Sequence, residues 1–76
     1  MSDTSTEKYQ KMVGREIARR RTDEHLSIYA LAEKAGMLRM KLWLIESGKP
    51  TNYPNLHKIA KALGCKVDDL LPKDVP

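Results

Sequence analysis

The chain has no phenylalanine, one tryptophan, three tyrosines and a single cysteine in 76 residues. One cysteine cannot form an intramolecular disulfide. Cys65, His25 and His57 are too few and too far apart for a zinc site, so no metal is expected. No apolar run is long enough to cross a bilayer and no secretory leader is recognisable, so no membrane partner is expected and a reducing cytoplasm is the natural compartment. Catalytic signatures are missing as well. There is no serine elbow, no phosphate-cradling glycine loop, and neither histidine has a carboxylate at a useful spacing. Neither an enzyme nor a cofactor is expected.

With so few aromatics, the core must come from Leu, Ile, Val, Met and Ala, in one domain. Lys and Arg outnumber Asp and Glu by 14 to 10, a formal charge of +4. That balance suits nucleic acid and equally suits an ordinary solvated surface.

Apolar residues recur at helical spacing throughout, and no segment alternates as a strand would. Residues 1–8 are polar and read as a flexible arm. A first helix is expected from Tyr9 to about Thr22, with Met12 or Val13, Ile17 and Arg20 or Arg21 on one face. Its basic end suits the partial negative charge of a helix C-terminus. Ser27 is an N-cap for a second helix over about Ile28–Ala35, which Gly36 ends. A third helix is expected over about Leu38–Ser47. The stretch after Gly48 reads as loop because of its prolines and asparagines. A fourth helix follows from Asn55 or Leu56 to Leu63, and a short fifth covers about Val67–Leu71. The domain thus spans 9–71, with 72–76 a frayed tail.

The third helix poses the functional question. Met37, Leu42 and Ile45 take the inward spacing. Leu38, Arg39, Met40, Trp43 and Leu44 are left facing outward, with one good hydrogen-bonding group among them. Three readings account for this face: Arg39 with apolar neighbours reading bases, an apolar surface for a protein partner or a second copy, or a Trp43 folded back into the core.

"LSIYALAEKAGMLRMKLWLIESGK" resembles the helix-turn-helix of the lambda-repressor/Cro-like (XRE) family. The likeness rests on Leu26–Ser27, Leu31–Ala32 with Gly36, and Ile45–Glu46 with Gly48–Lys49. "VGREI" and "LHKIAKALGCKVDDLL" extend it to the first, fourth and fifth helices. The resemblance implies an all-α, five-helix lambda-repressor-like domain that binds double-stranded DNA as a transcriptional regulator, often as a homodimer. It implies base reading by Leu38, Arg39, Met40, Trp43 and Leu44, and phosphate contacts from Ser27, Tyr29, Lys49, Thr51, Asn52 and Tyr53. Arg15 and Arg19 add flanking charge. Glu46 is expected to bond a loop or a helix N-terminus. The pattern departs from the family at Ile28, commonly glutamine; at Leu38, commonly a serine or threonine cap; at His25, commonly glycine; and at Arg20, commonly leucine. Lys66 stands where serine usually caps the fifth helix. An adaptor or antitoxin-like module, using the apolar face of the third helix for a protein partner, is the alternative.

Overall fold

The positions of Val13, Ile17, Leu31, Leu42, Ile45, Ile59 and Leu70 decide the architecture, because all of them are withdrawn from water into one cluster. The computed structural model describes residues 4–73. It contains α1 (Thr4–Asp23), α2 (Ile28–Ala35), α3 (Arg39–Glu46), α4 (Tyr53–Leu63) and α5 (Val67–Leu70), with no strand among the described residues. α2 packs on α4, α1 lies against α3, α2 crosses α3, and α5 folds back on α4 and α1. Helices of four to eleven residues are not stable alone. What holds α2 to α5 is the shared burial of Ile17, Leu31, Leu42, Ile45, Ile59 and Leu70. Each such side chain contributes roughly 1.5–3 kcal/mol of transfer free energy.

The ends of the elements follow local chemistry. Ser27 accepts the N–H of Ala30 at 3.0 Å, and this caps α2 as its sequence suggests. Gly36 sits at φ 69° and ends α2 in the left-handed conformation. That conformation is strained for a residue with a Cβ. His25, at the place where the family commonly has glycine, adopts φ 58° in the α1–α2 turn.

Three expected boundaries move. α1 begins at Thr4, not Tyr9, so residues 4–8 of the expected arm are helical; residues 1–3 lie outside the described residues, as do 74–76 of the tail. Ser5 to Lys8 are exposed on every side, so no apolar period marks these turns. Glu7, in the first turn, suits the positive end of the helix. α4 begins at Tyr53, because Asn52 accepts the Asn55 N–H at 2.9 Å and Pro54 occupies the first turn, where no N–H is needed. Residues that read as loop by composition are therefore a cap. α3 starts at Arg39, with Leu38 in the cap position and no side-chain hydrogen bond there. The fifth helix also lacks the usual hydroxyl cap. The Lys66 N–H donates instead to Asp69 Oδ2 at 2.9 Å, a bond that holds the Asp69 carboxyl below its ordinary range.

Candidate nucleic-acid interface

Leu42 and Ile45 point α3 inward, and the 3.6-residue turn then leaves Arg39, Met40 and Trp43 on its outer side. Leu38 is 78 % exposed, Met40 65 % and Trp43 51 %. Trp43 is therefore not a core residue, which removes the folded-back reading. Leu44 differs from the expectation: it is half-buried, one step round the helix from Ile45, and is only marginally presented. Ile28, Leu38, Arg39, Met40 and Trp43 line an open cleft of about 600 Å³ between the start of α2 and the outer face of α3.

Arg39 does not project alone. Its guanidinium carbon lies 5.5 Å from the centroid of the Tyr29 ring. A cation over a ring face at an exposed site gains roughly 0.5–1 kcal/mol, which narrows the range of Arg39 conformers. Tyr29, expected as a phosphate contact, is thus in contact with the expected base reader through its ring. Lys41, which has no part in the expected site, is exposed on the other flank of α3, beside Glu33 and Lys58.

The expected phosphate contacts divide. Lys49 and Asn52 are exposed in the α3–α4 loop, and Arg15 is exposed on α1. Ser27 is exposed at the start of α2. Tyr53 is 65 % exposed and stacks on His57, with ring centroids 6.3 Å apart. Arg19 is exposed but engaged within α1. Its guanidinium donates to Glu16 and, at 3.0 Å, to Asp23. Arg19 first, and Arg20 with it, holds the Glu16 carboxyl below its ordinary range against the opposing effect of burial. Thr51 is also misplaced for the expected role. Its Oγ1 is sealed from solvent and has no hydrogen-bond partner, so in this conformation it cannot touch a phosphate. An unpaired buried hydroxyl costs roughly 1–3 kcal/mol. Thr51→Val keeps the shape and removes the orphan, so thermal unfolding is expected to show a rise of about 1 kcal/mol in stability. A fall in melting temperature would show that the hydroxyl makes a bond.

The missed contact of most consequence is Arg21–Glu46. Arg21 donates through Nε to Glu46 Oε2 at 2.8 Å, through Nη2 to Oε1 at 3.1 Å, and through Nη1 to the Leu26 carbonyl at 2.8 Å. Glu46 therefore bonds a guanidinium from the end of α1, not a loop or helix N-terminus. The two residues are 25 apart, and no periodicity connects them. Glu46 is the only acidic residue of α3, so this pairing leaves Arg39 and Lys41 unopposed within that helix. Cys65 packs beside the core, and burial pushes its thiol pKa up, which makes it a poor nucleophile.

A sequence model described as the Cro/C1-type helix-turn-helix DNA-binding domain matches residues 16–72. The chain belongs to this family. It is an all-helical, Cro/C1-type DNA-binding domain of the kind found in transcription regulators, as the helix-turn-helix spacing implies. No curated protein matches the chain. Among the described residues, no helix is long and apolar enough to cross a membrane. In this Cro/C1-type domain, α2 and α3 are the helix-turn-helix.

Proposed function

We propose that the protein is a cytoplasmic, sequence-specific binder of double-stranded DNA and regulates transcription in the manner of XRE-type repressors. The observation that carries this reading is the outward face of α3, where Arg39 stands exposed beside Met40 and Trp43 with no free carboxylate of that helix beside it. Arg39 is the base reader, since a guanidinium can grip guanine O6 and N7 with two parallel bonds. Leu38, Met40 and Trp43 flank it, and Leu44 adds little. Arg15, Lys49, Ser27, Asn52 and Tyr53 hold phosphates. Arg19, paired with Glu16 and Asp23, and Thr51, whose hydroxyl is turned inward, lie outside this set.

A homodimer fits this use. α4 and α5 pack chiefly on α2, on each other and on α1, which leaves their outer side clear of α3. Two copies joined there would present two α3 helices to half-sites one helical turn apart.

The test is a salt titration of binding to random duplex. Neutralising Z phosphates gives a slope of log K against log salt of about −0.9Z. Arg15 and Lys49, the two cations assigned to phosphates, predict a slope of about −2 per protomer by that rule. A flat response would remove the DNA reading. Exposed Leu38, Met40 and Trp43 favour one second reading, an adaptor that docks a protein on the same face, and a flat response would move the weight there.

The role of Tyr29 is separable. If its ring positions Arg39, Tyr29→Phe binds like the parent and Tyr29→Ala loses roughly fivefold, corresponding to about 1 kcal/mol. If its hydroxyl holds a phosphate, Phe and Ala weaken binding alike. Competition binding with both variants separates the two.

A further inference from the structure

We propose that the α3 face reads the C5-methyl groups of pyrimidines beside a guanine, so that its preferred duplex is selected by methyl groups as much as by hydrogen bonds. The proposal rests on the DNA-binding reading above and deepens it. Three of the four residues along the outer edge of α3 and its cap are apolar and exposed: Leu38, Met40 and Trp43. With Ile28 and Arg39 they form one continuous cleft.

The major groove offers donors and acceptors at nearly every base edge. Its apolar exception is the C5-methyl group, carried by thymine and by 5-methylcytosine. An apolar side chain pressed on a donor or acceptor strips its water and returns no bond, at roughly 1–3 kcal/mol for each group left unpaired. Pressed on a methyl group, it gains about 0.8 kcal/mol for that carbon. A face with this composition therefore discriminates by penalty against methyl-free edges and by gain at methylated ones. Arg39 supplies the one directional contact. Its guanidinium is supported by the Tyr29 ring at 5.5 Å and selects guanine. An apolar neighbour on either side, Leu38 and Met40, then meets the adjoining pyrimidine. Charge agrees with this occupant, because Glu46 is held by Arg21 and the exposed Arg39 remains to face a polyanion.

The full chain is used to select duplexes from two random pools, one unmodified and one with 5-methylcytosine at every CpG. In the selected duplexes, thymines are then replaced singly by uracil, and 5-methylcytosines singly by cytosine. Each contacted methyl removed is expected to weaken binding about fourfold. Loss in the uracil arm alone assigns thymine as the source. Loss in the cytosine arm alone assigns a reader of methylated DNA. Leu38→Ser with Met40→Ser abolishes the methyl dependence and keeps the salt slope. These side chains are exposed, so the helical circular dichroism stays at the parent level. A duplex bound with a steep salt slope but with equal affinity in methylated and methyl-free forms overturns this inference and leaves the DNA-binding reading standing. No salt-dependent binding from either pool overturns both.

Discussion

Replacing Arg21 by alanine is expected to cost about 2–3 kcal/mol, from the loss of charge-assisted hydrogen bonds in a part-buried ion pair. The side chains of Arg21 and Glu46 are only 15 % and 8 % exposed. The substitution strands the Glu46 carboxylate and also frees the Leu26 carbonyl. A 76-residue domain has roughly 4–11 kcal/mol of stability at typical per-residue values. The variant is therefore expected to stay folded in water with a much reduced margin, seen as a fall of roughly 2–3 M in urea midpoint at an m-value near 1 kcal/mol/M. Replacing both partners, as Arg21→Met with Glu46→Leu, is expected to recover most of the loss, because no charge is then left unpaired. A single variant with the parent midpoint would show the pair to be a spectator. The functional consequence is geometric. Arg21 joins the last turn of α1, the turn before α2 and the end of α3, so it sets the angle at which α3 is presented.

The second large effect is expected from Gly14→Ala, and here two forces compete. Glycine inside a helix is about 0.8–1 kcal/mol worse than alanine, so propensity alone predicts a more stable α1. Packing opposes this. A Cβ at Gly14 would lie 2.6 Å from the carbonyl oxygens of both Ile45 and Glu46, and 2.9 Å from the Glu46 carbonyl carbon. All three are backbone atoms and cannot swing aside. Overpacking of this kind typically costs 1–3 kcal/mol or more, and contact at that distance places Gly14 at the upper end. A net loss of about 2 kcal/mol is expected, read as a fall of roughly 2 M in urea midpoint for a small domain with an m-value near 1 kcal/mol/M. α1 must move away from α3 for the variant to fold at all. Affinity for duplex DNA should therefore fall even at temperatures where the helical signal survives. A rise in midpoint would mean that the helices part without cost and that close approach at Gly14 is not a constraint.

Neither contact was legible along the chain, for the same reason. Periodicity reports which face of a helix is apolar, and it placed Ile17, Leu42 and Ile45 inward because each is one step in a local 3.6-residue pattern, while it left Met12 and Val13 as alternatives that the structure resolves in favour of Val13. Ser27 and Gly36 were legible because a cap and a left-handed stop are chosen by neighbours only a few residues away. Arg21 meeting Glu46, and Gly14 meeting the carbonyl of Ile45, join residues more than twenty apart. They follow from how α1 crosses α3, which no window of sequence contains. The start of α1 was hidden because solvated turns need no apolar period. The start of α4 was hidden because Asn52 and Pro54 serve a helix N-terminus with the same residue types that make loops. Within the candidate interface, the outward turn of Leu38, Arg39, Met40 and Trp43 was readable from spacing. The pairing of Arg19 with Glu16 and Asp23 on the surface of α1, and the inward hydroxyl of Thr51, depend on rotamers.

Trp43 is the only indole in the chain, and half of its surface meets water on the face where an occupant is proposed to sit. Emission from this protein under selective excitation thus comes from a single known position. Anything that covers α3, nucleic acid or polypeptide, must change the polarity around that ring and shift or quench its light. The domain carries its own optical gauge of occupancy, and a titration can be followed without attaching a dye.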